Sequence, residues 1–199
     1  MSNVKVKFCG LFREMDIEYA NKLNPDYIGF VFAKSRRQVT KDKAIYLRNR
    51  LNSNIKAVGV FVDEDIEKII DLLTIGVIDI AQLHGSERED DIKVIKEISK
   101  REVIKAIKVN CINDIEVCRD SCADFLLLDS GQGTGKTFNW NNIKNLNREF
   151  FLAGGLSIEN IKQAIEKVSP RAIDISTGIE SNGIKDYIKM KEVMRIVGR

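Results

Sequence analysis

The sequence has no long apolar segment. No apolar run among its 199 residues approaches the roughly 20 residues that a helix needs to cross a bilayer. The first ten residues, MSNVKVKFCG, also lack the apolar region of about 7–15 residues that is typical of a secretory signal peptide. We therefore expect a cytoplasmic protein without a membrane partner.

The sequence also lacks a strong excess of either charge. Its formal net charge is +3 at pH 7, and its acidic and basic residues are interspersed. A nucleic-acid-binding tail or a membrane-surface patch would need clustered basic residues. We therefore expect no nucleic-acid partner, and the charge pattern leaves room only for local attraction of an anionic ligand.

The four cysteines do not have the spacing of a typical metal site. None of them forms a C-x-x-C pair, and Cys111, Cys118 and Cys122 recur at helical spacing. Their positions at i, i+7 and i+11 indicate buried, reduced thiols on one face of a helix. We therefore predict no metal site.

Only two prolines and no low-complexity segment interrupt the chain. Short apolar segments typical of strands alternate with segments of helical periodicity. Thr40 is a predicted N-cap, Ser86 and Glu89 form a predicted capping box, and Ser157 is a third predicted cap. The cysteine segment 113–122 and the final segment 184–197 are predicted helices. The expected strands are 4–9, 27–32, 55–62, 78–83, 102–109, 125–129, 150–153 and 172–175.

Eight successive β-α units predict an α/β fold, a single (β/α)8 TIM barrel over residues 1–199. An open doubly wound sheet is the alternative, but such sheets usually stop at five or six strands. In a TIM barrel the active site lies at the carboxyl ends of the strands. Candidate site residues are therefore sought where the strands end.

The sixth strand ends at Asp129 and is followed by the glycine-rich segment 130–137. A P-loop is one interpretation, but its pattern requires glycine where this chain has Ser130. We favour a strand-end carboxylate followed by a loop that closes over a ligand. In the remaining interpretation, Asp129 only caps backbone amides in an ordinary turn.

The first strand ends at Cys9, and strand periodicity points Lys7 and Cys9 into the barrel if Val6 and Phe8 face the helices. A nearby lysine favours the thiolate, which could act as a general base. Alternatively, Cys9 is a small buried apolar residue and Lys7 pairs with an inward acid such as Asp174.

Glycines follow both the seventh and the eighth strand. TIM barrels commonly build a phosphate site from backbone amides at these two positions, although glycines also occur in plain tight turns. Two further strand ends carry candidate ligand contacts. Arg36 and Arg37 follow the second strand and could hold a substrate carboxylate, or could be solvated surface charge. His84, the only histidine, follows the fourth strand and is a candidate ligand contact.

Seven segments occur in the order found in the phosphoribosylanthranilate isomerase family of tryptophan biosynthesis, which the chain resembles over essentially its whole length. The resemblance implies a TIM barrel that converts N-(5-phosphoribosyl)anthranilate into its ribulose form. This Amadori rearrangement uses no metal or organic cofactor, and the expected assembly is a monomer or a homodimer. The matching segments are KFCG, GFVFAKSRRQV, VGVFV, QLHG, LLLDS with GTGKTFNW, LAGGLSIENI and DISTGIESNGIKD.

The resemblance also assigns roles. It makes Cys9 the general base and Asp129 the general acid, and Arg37 the group that holds the anthranilate carboxylate. At neutral pH this chemistry requires a lowered pKa for Cys9, which Lys7 could provide, and a raised pKa for Asp129. The implied sugar and phosphate contacts are Asp174, Gly154, Gly155, Ser176, Thr177 and Gly178.

The chain departs from the family pattern in three places. Phe12 replaces the usual threonine, and Ser35-Arg36-Arg37 replaces Ser-Pro-Arg, which leaves open whether Arg36 or Arg37 reaches the carboxylate. Thr177 replaces a serine and keeps the hydroxyl. Other readings of the site are a sugar-phosphate epimerase, an indole-forming synthase, which would need a catalytic lysine and glutamates, and a non-catalytic phosphate-ligand sensor.

Overall fold

Eight parallel strands form a closed barrel in which each strand pairs with its neighbours in sequence and β8 pairs with β1. The structure is a computed structural model that describes residues 4–109, 114, 119–129, 143, 146 and 148–199. The predicted TIM barrel is confirmed. The strands are β1 Lys5–Cys9, β2 Tyr27–Val31, β3 Lys56–Phe61, β4 Ile80–Leu83, β5 Glu102–Lys108, β6 Phe125–Asp129, β7 Phe150–Ala153 and β8 Ala172–Ile175.

Six helices pack around the barrel in the described part of the chain. Thr40 caps α2 as predicted, since its hydroxyl accepts a hydrogen bond from the Lys43 backbone N–H at 3.2 Å. The segments after β5 and β6 lie largely outside the described residues. The helices are α1 Glu14–Leu23, α2 Lys41–Arg48, α3 Ile66–Thr74, α4 Glu89–Ser99, α5 Ile161–Val168 and α6 Tyr187–Ile196.

Two predicted helix starts are wrong. The N-cap of α4 is Arg88 rather than Ser86, and the Asp91 carboxylate accepts the Arg88 backbone N–H at 2.8 Å. The N-cap of α5 is Asn160, because residues after Ser157 first form a turn. The predicted helix through Cys122 is also wrong at that residue, which is non-helical and partly buried. Cys111 and Cys118 lie outside the described residues.

The final predicted helix begins later than expected. Residues before it form an antiparallel hairpin of β9, Glu180–Ser181, and β10, Ile184–Lys185. Gly183 makes the turn with a φ of +80°, which a glycine adopts without strain. Helix α6 starts only after the hairpin, where the Asp186 carboxylate accepts the Ile188 backbone N–H at 2.9 Å.

The buried side chains form two layers. One layer lies between the barrel and the helices and includes Val6 and Phe8 of β1. Alternate strand residues, such as Leu127 and Phe151, fill the barrel interior. The predicted orientation of β1 is therefore confirmed, and its remaining residues face inward. Among the described residues, no helix is long and apolar enough to span a membrane.

Candidate active site

A pocket of about 250 Å³ opens at the carboxyl ends of the strands. Its volume approaches the lower end of the range of small-molecule sites. Every site residue predicted from the sequence lines it, except Gly178 and the alternative arginine Arg36. The lining residues are Cys9, Arg37, Val60, Gln82, His84, Asp129, Ala153, Gly154, Gly155, Leu156, Asp174, Ser176 and Thr177.

Cys9 reaches this pocket because Gly29 on the adjacent strand has no side chain. A Cβ at Gly29 would lie 2.8 Å from the Cys9 Sγ and 3.3 Å from the Lys7 Nζ. Burial and the nearby Asp174 raise the pKa of the Cys9 thiol, and the opposing effects of Lys7 and Lys185 are smaller. The expected lowering of this pKa is therefore wrong for the ligand-free protein, since desolvation outweighs the neighbouring cation.

Lys7 and Asp174 form a buried ion pair beneath the pocket. The Lys7 Nζ lies 3.0 Å from the Asp174 Oδ1, and neither side chain is more than 8% exposed. Burial is the largest single effect and would lower the pKa of Lys7, but Asp174 and Cys9 together outweigh it and raise this pKa. The pairing predicted as the structural role of Lys7 is confirmed, and its carboxylate partner also lines the pocket.

Asp129 is the last residue of β6 and lies across the pocket from β1. The His84 Nε2 is 3.3 Å from the Asp129 Oδ2. The other ring nitrogen of His84, Nδ1, forms a 2.9 Å hydrogen bond with the amide of Gln82. The structure therefore brings the only histidine next to the predicted acid, at the ends of β4 and β6, which lie on either side of β5.

The loops after β7 and β8 lie against each other. Gly154 and Gly155 have φ values of +82° and +62°, which favour glycine. Gly178 forms a parallel bridge with Ser157, and a Cβ there would lie 2.1 Å from the Leu156 carbonyl oxygen. These glycines allow the close backbone approach that an amide-lined phosphate site requires.

Arg37, rather than Arg36, lines the pocket. The Arg37 side chain is 16% exposed and passes Gly10, where a Cβ would lie 2.5 Å from the Arg37 Cδ. Both arginines form ion pairs with the buried carboxylate of Glu180. The geometry thus favours Arg37 as the contact for a ligand carboxylate. The glycine-rich segment 130–137 lies outside the described residues.

A second, larger groove does not suit an anionic ligand. It has a volume of about 580 Å³ and lies against α3 and α4. Its lining carries Asp63, Glu64, Glu67 and Asp91 among other acids, so a phosphate would meet like charge. Within the described ranges, no three His, Cys, Asp or Glu side chains are grouped so that they could hold a metal ion.

The sequence prediction missed three polar residues around the pocket. Gln82 has inward strand parity, which the spacing of β4 could have revealed. Glu180 and Lys185 are buried on the hairpin, and hydrophobic patterning gives no signal for buried charges that stabilise one another.

Comparison with known proteins identifies similar chains over the full length. The profile of the family described as N-(5'phosphoribosyl)anthranilate (PRA) isomerase matches residues 6–195. The chain is 44% identical to the N-(5'-phosphoribosyl)anthranilate isomerase of Clostridium acetobutylicum, over 97% of this chain and 98% of that protein. It is 43% identical to the protein of the same name from Thermoanaerobacter sp. (strain X514), over 98% of each chain.

Solved structures give the same result. The phosphoribosyl anthranilate isomerase of Thermotoga maritima superposes with a TM-score of 0.89 at 34% identity, covering 98% of both chains. The corresponding enzyme of Thermus thermophilus gives a TM-score of 0.88 at 30% identity and the same coverage. A further isomerase structure, with a TM-score of 0.87 and 34% identity, contains reduced 1-(o-carboxyphenylamino)-1-deoxyribulose 5-phosphate.

Proposed function

Because the chain belongs to the phosphoribosylanthranilate isomerase family, we propose that Cys9 and Asp129 are the base and acid of its reaction. The enzyme isomerises N-(5'-phosphoribosyl)anthranilate to 1-(2-carboxyphenylamino)-1-deoxyribulose 5-phosphate in tryptophan biosynthesis. The observation that carries the assignment is that both side chains line one pocket, together with the paired glycine loops and Arg37.

The substrate orientation follows from the chemistry of the pocket walls. The phosphate binds the backbone amides of Gly154, Gly155 and the Ser176–Gly178 loop. The anthranilate carboxylate binds the guanidinium of Arg37, whose planar donor set matches a carboxylate. The ribose then lies between these two ends, over Cys9 and Asp129, and Asp174 contacts its hydroxyls.

The reaction needs one acid and one base. Asp129 protonates the furanose ring oxygen, the C1'–O bond breaks with help from the nitrogen lone pair, and an imine forms. The Cys9 thiolate then removes the C2' proton, which gives an enolamine that tautomerises to the ketone. In the tautomerisation, C1' gains a proton and the C2' hydroxyl loses one. Cys9 gives up the proton that it took and Asp129 regains the proton that it donated, so both groups return to their starting states.

In this proposal His84 contacts not only the substrate but also Asp129, to which it donates a hydrogen bond. Its Nε2 lies 3.3 Å from the Asp129 Oδ2, and Gln82 holds the other side of the ring. A hydrogen bond donor near the carboxylate stabilises the charge that develops when Asp129 gives up its proton.

The enzyme is expected to work in the cytoplasm as a monomer or a homodimer. One structurally similar isomerase, from Thermotoga maritima, is described as dimeric, which supports the homodimer as an alternative. Light scattering coupled to gel filtration distinguishes the two assemblies.

The function is tested by mixing the purified chain with freshly generated phosphoribosylanthranilate and following the loss of anthranilate-type fluorescence. We expect catalytic turnover without added metal ion. A folded protein that binds the product but does not turn over the substrate would instead be a phosphate-ligand sensor. A protein that acts only on other sugar phosphates would be an epimerase.

A further inference from the structure

Glu180 is a buried carboxylate that contacts three cations at the edge of the pocket. Its side chain is 4% exposed, and it pairs with Arg36, Arg37 and Lys185. The Arg37 Nε donates to its Oε1 at 2.6 Å, and the Arg37 Nη2 donates to its Oε2 at 2.9 Å. The two carboxylate oxygens of Glu180 therefore accept both hydrogen bonds that the Nε–Nη2 edge of the Arg37 guanidinium can donate in its plane.

This contact leaves the opposite end of the guanidinium for a ligand. A guanidinium has five N–H donors in a fixed plane, and Glu180 accepts from the Nε and Nη2 atoms of Arg37. The N–H groups of Nη1 point away from that edge. Because Arg37 itself lines the pocket, a second carboxylate can bind this end while Glu180 keeps its place.

We propose that Glu180 is a positioning residue that fixes Arg37 for the anthranilate carboxylate, an inference that rests on the proposed function. Gly10 confines the arginine stem on its other side. Glu180 is ionised throughout the physiological range. Burial would raise its pKa, but Arg37 and Lys185 lower it to about 2.

The same carboxylate connects the two ends of the substrate site. The Lys185 Nζ lies 2.8 Å from the Glu180 Oε1 and donates to the Ser176 carbonyl oxygen at 2.9 Å. The Ser176 hydroxyl in turn donates to the Cys9 carbonyl oxygen at 3.1 Å. Glu180 thus lies in one network with the carboxylate contact, the phosphate loop and the strand that carries the base.

A positioning role and a purely electrostatic role of Glu180 predict opposite effects of its replacement by glutamine on the binding of a ligand carboxylate. Three cations surround one carboxylate, so replacing Glu180 with glutamine increases the local positive charge. By Coulomb's law alone, this change strengthens the binding of a ligand carboxylate. If Glu180 fixes Arg37, the same substitution weakens the binding of the ligand carboxylate, because a guanidinium that is no longer held in place loses conformational freedom when the ligand binds.

The test compares two ligands, the reduced product analogue 1-(o-carboxyphenylamino)-1-deoxyribulose 5-phosphate and its counterpart without the carboxyl group. Calorimetry gives the Kd of both for the wild type and for Glu180→Gln. The wild type should prefer the carboxylated ligand, and we expect this preference to fall by roughly tenfold in the variant, the worth of a charge-assisted hydrogen bond. A general loss of structure would weaken both ligands equally.

Two further variants complete the experiment. Glu149→Gln removes a carboxylate that pairs with Arg171 at the other end of the barrel, and it should keep the wild-type preference. The double variant Glu180→Gln/Lys185→Met also releases Arg37, and it removes the buried Lys185 ammonium group that would otherwise lose its carboxylate partner, so it covers the case in which the single variant does not fold. An unchanged or increased preference in the folded variants would overturn the proposal. Failure of the wild type to bind either ligand would instead contradict the proposed function.

Discussion

At the scale of single residues, the proposed mechanism depends on how Cys9 and Asp129 share protons. Burial raises the pKa of the Cys9 thiol, and together with Asp174 it outweighs Lys7 and Lys185, so Cys9 is a thiol in the ligand-free protein. The active form has a thiolate and a carboxylic acid. It contains as many protons as the form with a thiol and a carboxylate, so interconversion of the two forms does not depend on pH.

This arrangement predicts the alkaline limb of the pH profile. We expect kcat/KM to fall only above the ordinary thiol pKa of about 8.5. At higher pH the pair loses the one proton that it shares, so Asp129 is a carboxylate and has no proton to donate to the ring oxygen. Stopped-time assays between pH 6 and 10.5 measure this decrease in kcat/KM. The control variant Cys122→Ser should show the same decrease as the wild type. A limb centred near pH 7 would show that Cys9 is not buried as a thiol in the free enzyme.

At the scale of elements, the two loops after β7 and β8 depend on close backbone contact. Gly178 is the point of contact, since a Cβ there would lie 2.1 Å from the Leu156 carbonyl oxygen. A backbone oxygen cannot yield as a flexible side chain can. The proposed phosphate site therefore requires glycine at this position for space rather than for an unusual φ.

Gly178→Ala is expected to separate the loops and raise KM by at least about tenfold, because backbone donors to the phosphate are displaced. The matched control is Gly76→Ala, at a position with a φ of +74° and no atom within 4 Å of the added Cβ. The control should lose about 1 kcal/mol of stability from backbone strain and keep its KM. Equal KM values for the two variants would contradict the proposed phosphate site.

The sequence predicted the elements unevenly, for physical reasons. Strand bounds at β6, β7 and β8 were predicted to the residue, because buried parallel strands are short apolar runs between polar turns. The start of α4 was not predicted, since Glu87 just before it pairs with Lys105 of β5 at 2.8 Å. The 180–185 hairpin was missed because long-range ion pairs around Glu180, rather than local propensity, stabilise its two short strands.

The candidate site was largely predictable because a closed barrel fixes where strand ends meet. The alternation of side chains along β1 predicted that Cys9 faces inward, and Asp129 was predicted to end β6. These two predictions were enough to place both side chains at the same end of the barrel. The sign of the Cys9 pKa shift was not predictable. It depends on the balance between burial and neighbouring charges, which only three-dimensional packing determines.

At the scale of the whole molecule, the barrel closes where β1 meets β8, and residues far apart in sequence pair there. The register runs from Lys5 opposite Ala172 to Phe8 opposite Ile175. The Lys7–Asp174 ion pair crosses this seam inside the barrel. Breaking a buried pair leaves an uncompensated charge, whereas an exposed pair contributes little.

Lys7→Met is therefore expected to lower the free energy of unfolding by about 3–5 kcal/mol. Lys56→Met is the control, since its partner Glu102 is also on another strand of the barrel but both side chains are at least 42% exposed, and it should cost less than about 1 kcal/mol. Urea denaturation measures both. Because the folded pKa of Lys7 is raised, its contribution persists below the unfolded pKa of about 10.4 and is lost only as pH rises through the folded value. Equal losses for the two variants would contradict a structural role at the seam.

The central claim is that Cys9 and Asp129 carry out the isomerisation as base and acid. The most direct test measures kcat, together with the Kd of the reduced product analogue, for Cys9→Ser and Asp129→Asn beside the wild type. We predict that kcat falls by about 10²–10⁴-fold in each variant while the analogue still binds, since a group that acts only in the transition state contributes little to ground-state binding. A kcat that survives either substitution in a folded protein would contradict the assignment of that residue.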